Sequence, residues 1–244
     1  MTIWAILPAA GIGRRMGSIT PKQYLTVNGT PVISCALQRL AAVSAIEKIV
    51  VVLHPDDKYW QTLNSALGAD SDSGFEIHSN ERIRCATGAQ ERCQSVLNGL
   101  DHIESEAKAD DWVLVHDAVR PCVRTSDIEK LISELHHHPV GGLLGSPVDN
   151  TLKQVDTDGN VVATIDRNKL WNALTPQMFR YEILRNAIRH AVSQRDQVTD
   201  EASAIERLGH SPKMVAGNKD NIKITHEADL ILASNILKSQ AATV

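Results

Sequence analysis

The chain has 244 residues, of which 43% are hydrophobic, a length and composition that exclude a disulfide- or metal-stapled miniprotein and predict an ordinary globular protein. No apolar run approaches the ~20 residues of a membrane-spanning helix, and the first ten residues lack the basic start of a signal peptide. We therefore expect a cytoplasmic protein with no membrane partner. Its four cysteines include no CxxC pair and are expected to be reduced.

Charge is unevenly distributed along the chain. The net charge is −4, yet residues 1–46 contain four basic residues and no acidic one, which leaves +4 there and −8 in the remainder. Four cations with few aromatic side chains among them are too few for a nucleic-acid groove, so we expect no nucleic-acid partner. They suit a small polyphosphate, and the expected ligand is a nucleotide.

Short apolar runs alternate with helical patterns through the first half of the chain. A strand is predicted over Ile3–Ala9, and Thr30 is predicted to cap a helix with Pro31 at its first position. Ser126 and Glu129 have the spacing of a capping box at the start of another helix. The other elements predicted here are strands at 46–53, 75–78, 83–86 and 112–117 and helices near 59–67 and 90–103. This alternation predicts an α/β fold with a doubly wound, mostly parallel sheet.

The alternation breaks once, at two strand-like runs over Thr151–Asp156 and Val161–Asp166. Asp158 and Gly159 between them are a strong hairpin signal. We interpret the ribbon, at about 148–168, as a projecting β-hairpin arm. Because an isolated hairpin is marginal in water, we expect it to pack on a second copy of the chain in a homodimer. A solvent-facing excursion on one subunit is the alternative.

Helices and short strands return after the ribbon. Helices are predicted over Tyr181–Gln194, 200–208 and His226–Lys238, and strands over Lys213–Ala216 and Ile222–Thr225. No internal repeat or linker divides the sequence. We therefore expect a single domain over residues 1–244.

The loop after the first strand is the predicted ligand site. Residues 8–17 read PAAGIGRRMG, so small residues allow backbone amides to approach an anion and two arginines follow at once. In an open α/β sheet, ligands bind at the carboxyl ends of the strands. The loop is not a Walker loop, which needs lysine after its last glycine. Nor is it a dinucleotide GxGxxG loop, because Met16 occupies the position of the third glycine.

The same loop opens an ordered set of motifs that covers essentially the whole chain. The set is Pro8–Gly17, Pro21–Tyr24, Glu91–Val96, His116–Pro121, Asp166–Asn168, Leu174–Gln177, Thr199–Ala202 and Asp220–Lys223. It closely resembles the 2-C-methyl-D-erythritol 4-phosphate cytidylyltransferases, nucleotidyltransferases of the non-mevalonate isoprenoid pathway. The resemblance implies a Rossmann-like nucleotidyltransferase fold that binds CTP and 2-C-methyl-D-erythritol 4-phosphate.

The implied reaction transfers the cytidylyl group of CTP to 2-C-methyl-D-erythritol 4-phosphate, forming 4-diphosphocytidyl-2-C-methyl-D-erythritol and diphosphate. The attacking phosphate monoester has a second pKa near ~6 and is mostly a dianion at neutral pH, so it needs no general base. The reaction needs two anions held in line, with cations where negative charge builds on the α-phosphate and the leaving diphosphate. Mg²⁺, or another divalent cation, is the expected cofactor.

The resemblance also implies roles for individual residues. Its implied catalytic residues are Arg15 and Lys22, which stabilise the transition state, together with Lys223 and Arg167. Lys223 is placed between the α-phosphate and the incoming phosphate, and Arg167 reaches the polyol phosphate. The implied CTP-binding residues are Pro8, Ala9, Ala10, Gly11, Gly13, Arg14, Ala89, Gln90, Ser95 and Ala118. The implied binding residues for the polyol phosphate are Asp117, Arg120, Thr151, Arg167 and Lys223, with Thr151 and Arg167 reaching across the dimer. Mg²⁺ is expected to bind mainly through the CTP phosphates, with Asp117 as a candidate ligand.

The sequence leaves two points open. Many family members carry an acidic residue where this chain has Gln90, whose amide can donate as well as accept, so base contacts there are undetermined. A cytidylyltransferase for another polyol phosphate, such as ribitol 5-phosphate, is the alternative, and it would differ around Arg120, Thr151 and Arg167. A regulator that binds a nucleotide without catalysis is disfavoured, because it would not need the three cations Arg15, Lys22 and Lys223.

Overall fold

The structure is a computed structural model that describes residues 1–11, 20–63, 77 and 80–242. The strands assigned in these residues are β1 (Ile3–Pro8), β2 (Thr26–Val27), β3 (Thr30–Pro31), β4 (Lys48–Leu53), β5 (Ile83–Thr87), β6 (Trp112–Val115), β7 (Gly141–Pro147), β8 (Leu152–Val155), β9 (Val161–Ile165), β10 (Trp171–Arg180) and β11 (Lys213–Ala216). The helices with both ends in these residues are α1 (Val32–Ala42), α2 (Arg92–His102), α3 (Thr125–Leu135), α4 (Tyr181–Gln194), α5 (Glu201–Arg207) and α6 (Glu227–Ala241). None of the described helices is long and apolar enough to cross a membrane.

Seven strands form the central sheet, in the order β11-β7-β10-β6-β1-β4-β5. Every neighbouring pair is parallel except those of β10, which runs antiparallel to β6 and β7. The chain moves from β1 to β4 on one side and later places β6 on the other side of β1. This reversal of strand order is where ligands bind in open α/β sheets. The predicted doubly wound, mostly parallel sheet is confirmed.

The core lies on both faces of the sheet, which explains why β1 is apolar throughout. Ala5 and Leu7 pack in the cluster that contains residues of α1 and α3. Trp4 and Ile6 pack on the opposite face with residues of α2, α4 and α5. Successive side chains of a strand point to opposite faces, so a strand covered on both sides needs an unbroken apolar run.

The hairpin predicted after residue 150 is confirmed as a two-stranded sheet of β8 and β9, separate from the central sheet. Asp156 closes the turn by accepting hydrogen bonds from the backbone amides of Asp158 and Asn160 at 3.0 and 2.8 Å. Gly159 has a φ of +85°, a conformation that favours glycine. Projection of the hairpin as an arm and its packing on a second subunit remain predictions.

Several other predictions are confirmed. α4 and β11 have the predicted bounds, and α2, α5 and α6 begin or end within a few residues of theirs. The region of the helix predicted near 59–67 contains a short 3-10 turn at Trp60–Thr62, and residues 64–67 lie outside the described residues. The strand predicted at 75–78 also lies outside them, except for Ile77.

Three local predictions are wrong. Thr30 does not cap a helix, because it pairs with Val27 in a two-stranded ladder while Pro31, with ψ 139°, is still extended. Ser126 and Glu129 lie inside α3, which begins at Thr125 with no side-chain cap, so they form no capping box. Residues 222–225 form no strand; instead the amide of Ile224 donates to the carbonyl of Val119 at 2.9 Å.

Candidate active site

A cleft of about 670 Å³ opens at the carboxyl ends of β1, β5 and β6. Its wall is built from the loops that follow β1, β4, β5 and β6, from the start of α2 and from the segment before α6. The residues that line it are Pro8, Ala9, Ala10, Gly11, Lys22, Gln23, His54, Ala89, Gln90, Glu91, Arg92, Ser95, Asp117, Ala118, Val119, Lys223 and Thr225. The reversal of strand order at β1 therefore creates the cleft, as the parallel sheet predicts.

Most of the predicted site residues line this cleft. They are Pro8, Ala9, Ala10, Gly11, Lys22, Ala89, Gln90, Ser95, Asp117, Ala118 and Lys223. Arg120 adjoins it through a contact with Asp117. Gly13, Arg14 and Arg15 lie outside the described residues. Thr151 and Arg167 are exposed beside the hairpin strands, and the cleft wall formed by the described residues of this chain includes neither.

The loop after β1 is held by a buried glutamine. Gln23 is 3% exposed, and its Nε2 donates to the carbonyl of Ala9 at 2.7 Å. In the loop after β5, a Cβ added at Gly88 would lie 2.6 Å from the Cβ of Ala10, closer than real side chains approach. Small residues at positions 10 and 88 therefore allow the loops after β1 and β5 to meet.

Ser95 shapes the loop that carries Ala89 and Gln90. Its hydroxyl accepts a hydrogen bond from the amide of Ala89 at 3.0 Å. The same hydroxyl lies 3.2 Å from the carbonyl of Ala89 and 3.1 Å from that of Glu91, to which it can donate. The serine therefore fixes the backbone of this loop as well as lining the cleft.

Asp117, just after β6, is the centre of a charged cluster. Its Oδ1 accepts from Arg92 Nε at 3.0 Å, and its Oδ2 lies 2.9 Å from Lys223 Nζ and 3.4 Å from Arg120 Nε. Burial disfavours the ionised carboxylate, but the attraction of these three cations outweighs burial and holds the pKa of Asp117 well below its usual range. Asp117 is therefore a carboxylate that collects cations at the cleft.

A second carboxylate, that of Glu201, pairs with Arg92 of this cluster. Arg92 donates from Nη1 and Nη2 to the two oxygens of Glu201 at 2.6 and 3.1 Å, and Glu201 is 1% exposed. Neither residue received a role from the sequence. Both lie within motifs that carry the family resemblance, and that resemblance was the sequence signal that could have identified them.

His116 orders the backbone beneath the cluster and does not enter the cleft. Its Nε2 lies 3.1 Å from the carbonyl of Arg120, which can only accept, so Nε2 carries the proton. Its Nδ1 then accepts from the hydroxyl of Thr175 at 2.9 Å, and that hydroxyl accepts from the amide of Asp117. Complete burial lowers the pKa of His116 to about 4, so the imidazole is neutral at physiological pH.

Positive charge exceeds negative charge around the cleft. Lys22 lines it, and its Nζ lies 3.4 Å from the carbonyl of Ile224. Among the described residues, it makes four cations with Arg92, Arg120 and Lys223, against the three carboxylates of Asp117, Glu201 and Glu91. An excess of cations beside a loop of small residues suits a polyphosphate ligand.

The described residues do not fit a dedicated Mg²⁺ site. They contain no group of three His, Cys, Asp or Glu side chains placed to hold a metal ion. Both oxygens of Asp117 already contact cations, and a metal ion at Asp117 would have to compete with Arg92 and Lys223. A divalent ion in the cleft would therefore depend on ligand phosphates, which are ordinary partners of Mg²⁺.

The chain is similar along nearly its whole length to known cytidylyltransferases. A family model described as 2-C-methyl-D-erythritol 4-phosphate cytidylyltransferase matches residues 3–239. The chain is 46% identical to the protein of that name from Hahella chejuensis, over 97% of this chain and 93% of that protein. It is 42% identical to one from Aliivibrio fischeri, over 98% of this chain and 94% of that protein.

The fold leads to the same group of proteins. The crystal structure of the Francisella tularensis 2-C-methyl-D-erythritol 4-phosphate cytidylyltransferase matches with a TM-score of 0.77 and 35% identity. That match covers 97% of this chain and all of the other. Sequence, fold and a cationic cleft at the carboxyl end of β1 agree, and the chain belongs to the 2-C-methyl-D-erythritol 4-phosphate cytidylyltransferase family of nucleotidyltransferases.

Proposed function

We propose that the cationic cleft brings CTP and 2-C-methyl-D-erythritol 4-phosphate together for direct in-line transfer. The chain is a nucleotidyltransferase that converts these two substrates to 4-diphosphocytidyl-2-C-methyl-D-erythritol and diphosphate. A phosphate oxygen of the polyol phosphate forms a bond to the α-phosphorus of CTP. The bond from that phosphorus to the bridging oxygen breaks, and diphosphate leaves with the electron pair.

The observation that carries this proposal is the excess of cations at the cleft. The attacking phosphate is already a dianion, so no base has to remove a proton from it. The main obstacle is repulsion between two anions, which fixed positive charges reduce. Lys223, held at 2.9 Å by Asp117, is the proposed contact for both phosphates. Lys22 and Arg15 are the proposed partners of the charge that builds on the triphosphate.

The small residues of the cleft suit the nucleoside end of CTP. Ala9, Ala10, Ala89 and Ala118 line the cleft without long side chains, so their backbone groups are accessible to a ligand. The loop of Ala89 is held by Ser95, which presets it before CTP arrives. A preset binding loop reduces the ordering cost of binding.

The hairpin is proposed to complete the site of a partner subunit. Thr151 and Arg167, assigned to the polyol phosphate, are exposed beside the hairpin strands. The hairpin also exposes Val155, Val161 and Val162, each by more than half of its surface. Two isolated strands with an exposed apolar surface are marginal in water, and packing on a second copy in a homodimer would bury them.

Diphosphate release tests this proposal. The purified chain with CTP and Mg²⁺ is assayed with 2-C-methyl-D-erythritol 4-phosphate and, separately, with ribitol 5-phosphate at equal concentration. We expect turnover with the first substrate to exceed turnover with the second by at least about tenfold, as loss of a specific polar contact predicts. Equal or faster turnover of ribitol 5-phosphate would contradict the substrate assignment.

A further inference from the structure

The Glu201–Arg92 ion pair adjoins the cleft, which Arg92 lines, and neither residue has a role of its own in the mechanism described above. Glu201 is almost fully buried, and both of its oxygens accept from the guanidinium of Arg92, at 2.6 and 3.1 Å. Burying a carboxylate is costly unless a well-matched cation compensates it. A bidentate pair also fixes the plane of the guanidinium. The ion pair therefore defines where Arg92 points.

Glu201 is held in turn by the start of α5. Asp200 caps this helix and accepts from the amide of Ser203 at 2.9 Å. The buried Gln177 of β10 donates to Asp200 Oδ2 at 2.9 Å and accepts from the amide of Ala202 at 2.8 Å. Both neighbours of Glu201 are thus bonded to the central sheet, and the carboxylate occupies a fixed position.

The pair is connected to the cleft through Asp117. Arg92 Nε donates to one oxygen of Asp117 at 3.0 Å, while Lys223 Nζ lies 2.9 Å from the other. Glu201 supplies most of the counter-charge for Arg92, since it binds two of its nitrogens. The negative charge of Asp117 is then available to attract Lys223 and Arg120.

We propose that Glu201 is a positioning residue that acts through Arg92 and Asp117 on Lys223. The inference rests on the role proposed above for Lys223 in holding two phosphates together. With Glu201→Gln, the charge of Arg92 is no longer balanced, and it competes with Lys223 for Asp117. An ammonium that is less firmly held aligns the reacting phosphates less well, and misplacement of this kind lowers turnover.

A double-mutant cycle tests the connection. The value of kcat/KM for 2-C-methyl-D-erythritol 4-phosphate is measured for the unaltered enzyme, Glu201→Gln, Lys223→Gln and the double variant. Glu201→Gln is expected to lower kcat/KM about tenfold when Lys223 is present and less than about twofold when it is absent. If the effect of Glu201→Gln disappears when Lys223 is absent, Glu201 acts through Lys223.

Matched variants separate positioning from a general loss of structure. Glu104→Gln removes another carboxylate that pairs with an arginine, Arg185 at 2.5 Å, and is expected to leave kcat/KM unchanged. Glu201→Asp keeps the charge and should recover part of the activity. If Glu201→Gln fails to fold, Arg92→Lys replaces it in the cycle, because one ammonium cannot reproduce a guanidinium that contacts two carboxylates.

The outcomes distinguish the inference from the mechanism on which it rests. Equal losses from Glu201→Gln, or from its replacement Arg92→Lys, with and without Lys223 would overturn the inference and leave the role of Lys223 intact. Full activity of Lys223→Gln would show that the proposed role of Lys223 is wrong, and the inference would fall with it. A loss of kcat/KM for Glu201→Gln that appears only when Lys223 is present supports the inference.

Discussion

The cleft loops and the β8–β9 hairpin obtain their order in different ways. In the cleft, buried polar side chains such as Gln23, Ser95 and Thr175 bind backbone groups and fix each loop from behind. In the hairpin, the two strands bind chiefly each other, and Val161 and Val162 remain exposed. The cleft is therefore preset by its own chain, whereas the hairpin has apolar surface suited to another chain.

The largest expected effect comes from the cations of the cleft. Lys22→Ala, and likewise Arg15→Ala, should lower kcat by about two orders of magnitude or more, because a fixed positive charge beside the reacting phosphates is lost. Steady-state diphosphate release measures it. Lys58→Ala, at an exposed lysine away from the cleft wall, is the control and should be neutral. A loss below about threefold for Lys22→Ala would contradict its assignment.

The buried imidazole beneath the cleft should make stability depend on pH. The pKa of His116 is about 4 in the folded state, below the ordinary value near ~6.5, so the unfolded chain binds the extra proton first as pH falls. Stability from this group is fully present above about pH 6.5 and is lost as pH falls toward 4. Between about pH 7.5 and pH 5 the loss should be roughly 2 kcal/mol.

Urea unfolding of the unaltered protein and His116→Gln at both pH values measures this contribution. The variant should lack the additional loss, although it is less stable overall. His102→Gln, at an exposed position, serves as the control and should follow the unaltered protein. An identical pH dependence for His116→Gln and the unaltered protein would show that His116 does not carry the effect.

A change beside the hairpin should act on the partner's site. Arg167→Ala is expected to raise KM for the polyol phosphate about tenfold and to leave KM for CTP nearly unchanged, because only one substrate loses a contact. Mixed dimers of Arg15→Ala and Arg167→Ala should regain part of the lost activity, since one of their two sites is intact. Mixtures no more active than the separate variants would argue against a site shared between subunits.

The smallest effect is expected where the cleft loops meet. Gly88→Ala introduces a Cβ that would lie 2.6 Å from Ala10 Cβ, so the loop of Ala89 has to move. CTP affinity, measured by calorimetry, should fall several-fold, and the melting temperature should also fall because the contact between the two loops is overpacked. Thr87→Ala, one residue earlier and exposed, should bind CTP normally. An unchanged CTP affinity for Gly88→Ala would mean that the close contact between the two loops does not affect CTP binding.

The sequence predicted the sheet and most of the cleft wall because both depend on local signals. A parallel strand buried on two faces is apolar throughout, as β1 is, and the first loop follows directly from it. Capping was predicted less well: Ser126 lies inside α3 because the helix begins at Thr125. In the Glu201–Arg92–Asp117 connection, Arg92 lies 25 positions from Asp117 and 109 from Glu201, and no local pattern reports contacts at such separations.

The most direct test of the central claim is the stereochemical course at the α-phosphorus. The enzyme is given CTP with a sulfur of known configuration on that phosphorus, and the configuration of the product is determined by ³¹P NMR. Direct attack by the polyol phosphate within a cationic cleft predicts inversion, because the bond forms opposite the departing diphosphate. Retention would indicate two successive displacements through an enzyme nucleophile and would contradict the account.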